Sequence, residues 1–234
     1  MPSGLRLWLN RWTLYRKLVG RLPYEPGVFN VARRLVKRGS IALDIGAHVG
    51  RFTIELADLV GPEGHVYAIE AHPDNAAVIS ARLKALHIDD RVTVIAKAAT
   101  DGVSPSIQLF AGRHGSSSEW NVVGTTVNRR PAVASRIVEA ASIDALLPAN
   151  LVVDFAKIDV EGAEAITLTG MSQLLARCHP ALIVEVHPNG DWLSVRDTLE
   201  RAGYSILGLD GRSANPAGAA NTTEHIVAVA RAGS

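Results

Sequence analysis

Short apolar runs alternate along most of the chain with longer segments in which apolar residues recur at helical spacing. The short runs predict buried strands, and the longer segments predict the helices that cover them. Strands are expected at 41–45, 65–70, 92–96, 152–158, 181–188, 204–209 and 225–230. This alternation predicts a doubly wound, Rossmann-like α/β fold with a mostly parallel sheet. The last two runs have no helical segment between them, which predicts an antiparallel pair at the edge of the sheet.

The first run ends in a glycine-rich turn, Asp44-Ile-Gly-Ala-His-Val-Gly50, that leads into a helical segment. Glycine permits a sharp turn, and a side chain at Gly46 or Gly50 is expected to fill space that a ligand needs. A phosphate-binding P-loop would have Lys and then Ser or Thr after the last glycine, but an Arg-Phe pair stands there. A dinucleotide fingerprint would have glycine in place of His48. The turn therefore predicts a pocket for S-adenosylmethionine, which carries no pyrophosphate, with Asp44 as the acid at the first strand end.

The second predicted strand also ends in an acid. Glu70 follows Asp44 by 26 positions, close to the interval at which doubly wound folds place a carboxylate beside a ribose. A carboxylate can accept hydrogen bonds from both ribose hydroxyls, which an amide or an aliphatic side chain cannot do. Glu70 is therefore predicted to bind the ribose of the cofactor, and the alternative is a solvated acid at a strand end.

Four acids and a histidine follow the fourth and fifth predicted strands. Asp159, Glu161 and Glu164 come after the fourth strand, and Glu185 and His187 end the fifth. Because parallel strands end at one edge of a sheet, these side chains are expected to meet above the cofactor. The alternative is that Glu164 only begins the next helix and that Glu185 is structural.

This group of side chains suits proton transfer from a hydroxyl. It can remove a proton directly, or it can hold a divalent metal that lowers the pKa of the hydroxyl. We interpret His187 or Asp159 as the base and Glu161 as an orienting group. If a metal binds, its predicted ligands are Asp159, Glu161 and His187, although no fixed ligand spacing identifies a particular metal.

Composition narrows the class of protein. The chain has 234 residues, 47% of them hydrophobic, which is enough for one sizeable core with a terminal extension. Its formal net charge of +1 argues against a nucleic-acid partner, because such proteins usually carry a strongly basic face. Cys178 is the only cysteine, so an internal disulfide is excluded and a reducing, cytoplasmic compartment is expected. No apolar run approaches the roughly 18 residues that predict a membrane-spanning helix.

Residues 1–23 are predicted to form a separate basic arm. Trp8, Trp12 and other apolar residues recur at helical spacing over residues 5–22 among basic residues, and no acid precedes Glu25. The charges interrupt any signal-peptide core, so cleavage is not expected. Two placements stay open for this amphipathic helix. It packs on the domain or on a partner subunit of a homo-oligomer, or it makes a peripheral contact with an anionic inner membrane surface.

The helical rhythm is lost between residues 104 and 142. Short strands are predicted at 107–110 and 136–139, on either side of a long polar loop that contains Ser116 and Ser117. Long polar loops in compact domains are often functional, so this loop is predicted to contribute to the acceptor pocket. A surface hairpin without a functional role is the alternative.

The chain resembles the FkbM-type S-adenosylmethionine-dependent methyltransferases in three stretches that occur in the same order. They are Asp44-Ile-Gly-Ala-His-Val-Gly50, Lys157-Ile-Asp-Val-Glu-Gly-Ala-Glu164 and Glu185-Val-His187. The resemblance covers residues 24–234 and implies one methyltransferase domain with the seven-stranded class I fold and an antiparallel edge strand. It also implies methyl transfer to an oxygen, typically a hydroxyl of a small molecule, sugar, glycolipid, polysaccharide or related natural product.

The resemblance further implies roles for individual residues. The implied cofactor residues are Glu25, Asp44, Gly46, Ala47, His48, Gly50, Glu70, Ala71 and Asp159. The implied catalytic residues are Asp159, Glu161 and His187, and Ser116, Ser117 and Glu185 are expected to contact the acceptor. Two features depart from the family pattern: an Ala-Lys-Ala sequence ends the third strand, and the tryptophan-containing arm precedes the domain.

Two alternative functions are less consistent with the sequence than methyl transfer. An NAD-dependent oxidoreductase on a Rossmann fold is disfavoured because the middle glycine of the dinucleotide fingerprint is absent. A non-catalytic module that retains the cofactor pocket is disfavoured because the acids after the fourth and fifth strands are all present.

Overall fold

The computed structural model describes residues 26–111, 134–188, 190–212, 214 and 223–231, together with short strands at 120–121, 126–127 and 130–131. Some sequence expectations concern residues outside these ranges and stay predictions. They are the basic arm at 1–23, Glu25 as a cofactor contact, and Ser116 and Ser117 as acceptor contacts.

The elements follow the predicted alternation of strands and helices. The strands are β1 (Ile41–Ile45), β2 (His65–Ile69), β3 (Val92–Ile95), β4 (Ala98–Ala99), β5 (Ser106–Ala111), β6 (Trp120–Asn121), β7 (Thr126–Val127), β8 (Arg130–Pro131), β9 (Ala134–Ala141), β10 (Phe155–Ile158), β11 (Ala181–Val186), β12 (Tyr204–Gly208) and β13 (Glu224–Ala230). The helices are α1 (Pro26–Leu35), α2 (Arg51–Val60), α3 (Pro73–Leu86), α4 (Ile143–Leu146), α5 (Glu164–Thr169), α6 (Ser172–Cys178) and α7 (Trp192–Arg201). Within the described ranges, none of these helices combines the length and the apolar character needed to cross a membrane.

A seven-stranded sheet forms the centre of the fold, in the order β3-β2-β1-β10-β11-β13-β12. The strands from β3 to β11 are parallel, and β13 runs antiparallel to both of its neighbours. The predicted mostly parallel sheet with an antiparallel pair at its edge is confirmed. The strand order reverses beside β1, and doubly wound sheets bind ligands in the crevice at such a reversal.

Helices cover both faces of this sheet, so its central strands are apolar on both sides. Leu43 and Ile158 belong to one hydrophobic core, which includes residues of α5, α6 and α7. Ala42, next to Leu43 on β1, and Phe155, on the same strand as Ile158, belong to the other core. That core includes residues of α1, α2 and α3. Successive residues of a strand point to opposite faces. Burial on both sides therefore holds the carboxyl ends of β1 and β10 in fixed positions.

A smaller sheet, in the order β4-β9-β5-β6, follows β3 in the chain. Its main pair is antiparallel and runs from Ser106 opposite Glu139 to Ala111 opposite Ala134. The short strands predicted at 107–110 and 136–139 are confirmed, and both are longer than predicted. β4 pairs in parallel with the end of β9, which places this small sheet beside the carboxyl edge of the central sheet.

The turn after β1 contains two glycines in the left-handed region, Gly46 with φ 84° and Gly50 with φ 79°. A Cβ atom on Gly46 would overlap the carbonyl oxygen of Asp159, and one on Gly50 would lie 3.1 Å from Ile79. The expectation that a ligand needs this space is wrong at both positions, because neighbouring protein atoms already occupy it. Gly46 is therefore required for the turn to pack against the end of β10.

We expect Gly46→Ala to destabilise the protein more than Gly39→Ala. Both glycines are left-handed, with φ 84° and 81°, but a Cβ on Gly39 would meet no atom within 4 Å. Gly39→Ala should therefore lower the free energy of unfolding by only about 1–2 kcal/mol, the cost of the backbone conformation. Gly46→Ala should lower it by about 4 kcal/mol or more, because the alanine must also displace the backbone at Asp159. Equal losses in urea denaturation would contradict this explanation.

Candidate active site

A cavity of about 300 Å³ opens at the carboxyl ends of β1, β2 and β10. Most of the predicted cofactor residues line it: Asp44, Gly46, Ala47, His48, Glu70, Ala71 and Asp159. Gly50 is not part of the wall, because it packs against Ile79 beneath the turn. The cavity therefore lies where the reversal of strand order predicts a ligand site.

Glu70 directly follows β2 and is 7% exposed. Its Oε2 accepts a hydrogen bond from the backbone N–H of His48 at 2.7 Å. Its Oε1 accepts from the backbone N–H of His72 at 2.8 Å and from the side-chain amide of Asn75 at 3.2 Å. Burial raises the pKa of Glu70 to about 7 in spite of these hydrogen bonds. The carboxyl group is thus held in place at the cavity wall while its charge changes near neutral pH.

Lys157 lies on β10, fully enclosed between two acids. Its Nζ donates a hydrogen bond to Asp159 Oδ2 at 2.6 Å and lies 5.4 Å from the centre of the Phe52 ring. Asp44, on the neighbouring strand β1, accepts a hydrogen bond from Thr53 Oγ1 at 2.5 Å and interacts with the same ammonium group. The ammonium group of Lys157 therefore compensates the charge of two carboxylates, one on β1 and one directly after β10.

The charges in this group are set by their neighbours. Burial opposes the charge of Lys157, but Asp159 and Asp44 outweigh burial and raise the pKa of the lysine. Burial raises the pKa of Asp44, although Lys157 partly counteracts this. Burial also acts against the ionised form of Asp159, but Lys157 and His187 together lower the pKa of its carboxyl group below the ordinary value. Asp159 is therefore ionised and bound to Lys157.

His187 follows β11 and is surrounded by four carboxylates. Its Nδ1 lies 2.8 Å from Oε1 of Glu164, the first residue of α5, which is 0% exposed. Its Nε2 lies 3.4 Å from Glu161 Oε2, 3.6 Å from Glu185 Oε1 and 3.8 Å from Asp159 Oδ1. Glu164 thus begins the helix and also contacts the histidine, so beginning the helix is not its only role.

The protonation states in this cluster change the predicted roles. Burial opposes the charge of His187, but the hydrogen bond with Glu164 and the charges of Glu161 and Asp159 raise its pKa to about 9. At neutral pH the imidazole is therefore protonated, which disfavours His187 as the base. Burial raises the pKa of Glu161 to about 7, although its side chain is 46% exposed. A pKa near the working pH suits a general base, so Glu161 fits that role better.

The structure brings the predicted acids and histidine together, but not all of them reach the cavity. Asp159 and Glu161 line the cavity wall, whereas Glu185 and His187 contact them from outside the wall. Glu185 is thus placed as part of the cluster rather than as a cavity-lining acceptor contact. The cluster joins the cavity only through Asp159 and Glu161.

Sequence reasoning missed five polar residues of the wall: Arg51, His72, Asn75, Lys97 and Lys157. Lys157 did leave a signal, because it is a single cation within a strand segment that is otherwise mostly apolar. A buried cation requires an acid partner, and Asp159 stands two positions later. Asn75 left no such signal, since its contact with Glu70 depends on how α3 packs against β2.

The sheet order, the cavity at its reversal point and the acid after each neighbouring strand are those of class I S-adenosylmethionine-dependent methyltransferases. The profile of the methyltransferase FkbM domain matches residues 44–206. The chain therefore belongs to the FkbM methyltransferase family, and its cofactor is S-adenosylmethionine.

One solved structure supports the fold. Methyltransferase FkbM from Methylobacillus flagellatus KT superposes with a TM-score of 0.54 at 16% sequence identity. The superposition covers 94% of this chain and 59% of that chain. At this level of identity the likeness concerns the fold alone.

Two curated relatives match over shorter stretches. The protein-L-isoaspartate O-methyltransferase of Ignicoccus hospitalis is 41% identical over 71 residues, which are 30% of this chain and 33% of that protein. The catechol O-methyltransferase of Sus scrofa is 35% identical over 65 residues, which are 28% of this chain and 35% of that protein. The matched region thus spans about a third of the length of each relative.

We expect Lys157→Met to destabilise the protein by about 3–5 kcal/mol, because it leaves two buried carboxylates without their cation. Without the lysine, the pKa values of Asp44 and Asp159 should rise. A group with a raised pKa contributes stability at low pH that is lost as the pH increases, so the deficit should be larger at mildly alkaline than at mildly acidic pH.

The control is Lys97→Met, which removes a largely exposed ion pair between Lys97 and Glu139, 2.9 Å apart. Such pairs contribute at most about 1 kcal/mol. Chemical denaturation at both pH values measures the two losses. A Lys157→Met deficit that is as small as the control, or that does not depend on pH, would refute the assignment.

Proposed function

We propose that this chain is an O-methyltransferase that transfers the methyl group of S-adenosylmethionine to a hydroxyl group. The acceptor class that we propose is a sugar, a glycolipid or polysaccharide, or a related natural product. One observation carries the proposal: two carboxylates that can take up a proton, Asp159 and Glu161, both line the cavity wall. A hydroxyl acceptor must lose a proton as it is methylated, so it requires such a base.

The cofactor is proposed to lie along the carboxyl edge from β2 to β10. Glu70 would accept hydrogen bonds from the ribose hydroxyls, while the backbone of Ala47 and His48 would form the floor beside it. The donors that now hold Glu70, including the N–H of His48, keep its carboxyl group at the cavity wall. In this arrangement the methyl-bearing end of the cofactor would lie on the side of Asp159 and Glu161.

The proposed reaction is a direct displacement. The acceptor oxygen forms a bond to the methyl carbon as the bond from that carbon to sulfur breaks, and the electron pair stays on sulfur. The hydroxyl proton passes to the Glu161 carboxylate, and the products are a methyl ether and neutral S-adenosylhomocysteine. Because the sulfonium methyl is already electrophilic, the protein mainly has to align the oxygen and take up the proton.

Two further observations support an oxygen acceptor. The curated relatives from Ignicoccus hospitalis and Sus scrofa are both named as O-methyltransferases. The three motifs that resemble the FkbM-type enzymes also stand at the cavity and at the cluster behind it, on β1, β10 and β11. The sugar-like nature of the acceptor rests on that resemblance.

The test is a transfer reaction with S-adenosylmethionine whose methyl group carries an isotopic label. The protein is incubated with sugars, glycolipids and polysaccharides, and the labelled products are examined by NMR and mass spectrometry. We expect the label on an oxygen of a carbohydrate or related hydroxyl compound. Transfer to nitrogen, carbon or sulfur, or no transfer to any hydroxyl compound from a protein that binds the cofactor, would contradict the proposal.

We expect Glu161→Gln to lower kcat by about a hundredfold or more, because the amide cannot take up the proton. Its affinity for S-adenosylhomocysteine, measured by calorimetry, should stay within about twofold of the unchanged protein, since the residue is not placed at the ribose. Glu63→Gln, on an exposed turn between α2 and β2, is the matched control and should leave both quantities unchanged. A parallel loss of affinity and kcat in Glu161→Gln would assign the residue to cofactor binding instead.

The affinity for S-adenosylhomocysteine should rise as the pH increases through about 7, because ionised Glu70 accepts hydrogen bonds from the ribose better than its protonated form does. Glu70→Gln should bind more weakly at alkaline pH and lose most of the pH dependence. Calorimetric titrations of both proteins across this range measure the effect. An unchanged pH profile in Glu70→Gln would show that Glu70 is not the ribose acid.

A further inference from the structure

The side chains around His187 form a mixed donor set of nitrogen and oxygen atoms. One ligand atom from each of Asp159, Glu161 and His187 lies within 4.8 Å of the other two. Glu185 Oε1 lies 3.6 Å from His187 Nε2 but does not belong to this set. Imidazole nitrogen combined with carboxylate oxygen is a donor set that divalent transition metals accept.

The distances in the cluster match those between ligands of one ion. A tetrahedral ion with bonds of about 2.1 Å holds its ligand atoms about 3.4 Å apart. The three separations from His187 Nε2 to carboxylate oxygens are 3.4, 3.6 and 3.8 Å. These separations are long for hydrogen bonds, whereas an ion between the groups would reach each of them.

A contact with Glu164 fixes the orientation of the His187 ring. Its Nδ1 contacts Glu164 Oε1 at 2.8 Å, and Glu164 is 0% exposed at the start of α5. This contact leaves Nε2 directed at the three carboxylates. A carboxylate that holds one nitrogen of a histidine while the other binds metal is a recurring arrangement around metal sites.

Glu185 adds negative charge beside this donor set. The residue is 9% exposed, its Oε1 lies 3.6 Å from His187 Nε2, and its Oε2 lies 3.2 Å from His225 Nε2. Like charges at close range repel each other, so the carboxylates gathered at Nε2 of His187 favour a cation between them.

We propose that Asp159, Glu161 and His187 bind one divalent transition-metal ion at the edge of the cofactor cavity, and that the ion displaces the proton which His187 otherwise holds at neutral pH. Asp159 and Glu161 belong both to this set and to the cavity wall, so the ion lies where the acceptor oxygen meets the cofactor. Its role there rests on the proposed function: it binds and orients the acceptor oxygen, and the proton still passes to a carboxylate of the cluster. Binding of the ion itself does not depend on that function.

Mn²⁺ alone is the probe, titrated into the full chain and followed by the loss of the electron paramagnetic resonance signal of free Mn²⁺. We expect one ion per chain with micromolar affinity. Glu161→Gln, whose side chain is partly exposed and should not disturb folding, is expected to weaken binding at least about tenfold. Glu63→Gln is the control and should bind as tightly as the unchanged protein.

Absence of bound Mn²⁺ in the unchanged protein would overturn the proposal, as would equal affinity in Glu161→Gln and the control. A separate titration with S-adenosylhomocysteine distinguishes failure of this proposal from failure of the proposed function. A chain that binds the homocysteine compound but no Mn²⁺ lacks the metal site and keeps its methyltransferase assignment. A chain that binds Mn²⁺ but not the homocysteine compound has the metal site and contradicts the proposed function.

Discussion

The ammonium group of Lys157, enclosed between Asp44 and Asp159, is the interaction on which the rest of the site depends. It connects the adjacent strands β1 and β10 at the base of the cavity and gives both buried carboxylates a partner. The Gly46 turn packs against the backbone of Asp159, so the same two strand ends are also joined by close contact. The cofactor turn and the acid cluster are therefore one unit, and a change at either end affects both.

This arrangement divides the acids of the cavity into two kinds. Asp159 is held ionised by Lys157, whereas burial raises the pKa values of Glu70 and Glu161 to about 7. Carboxylates in different environments can take different roles in one reaction. A fixed negative charge suits the neighbourhood of a sulfonium cation, and a carboxylate held by backbone donors suits a ribose. A partly exposed carboxylate with a pKa of about 7 suits proton uptake.

The sheet and the location of the cavity could be predicted from sequence because they depend on local patterns. A short apolar run predicts a buried strand whichever strands it pairs with, and acids that follow parallel strands meet at one edge of the sheet. The role of Gly46 could not be predicted, since the atom it makes room for belongs to a residue more than a hundred positions away. The charge of His187 could not be predicted either, because it depends on how closely Asp159, Glu164 and Glu185 approach its ring in the folded chain. Lys157 was visible in the sequence, but its second partner, Asp44, appears only when β1 and β10 pair.

The most direct test of the central claim is a calorimetric titration of the purified protein with S-adenosylhomocysteine, with NAD as the parallel ligand. The homocysteine compound needs no acceptor, so the result does not depend on knowing the substrate. Micromolar binding of S-adenosylhomocysteine without binding of NAD is the result expected for a methyltransferase cavity between β1, β2 and β10. Binding of NAD instead would contradict the assignment of the Asp44 turn and, with it, the function proposed for the acids around it.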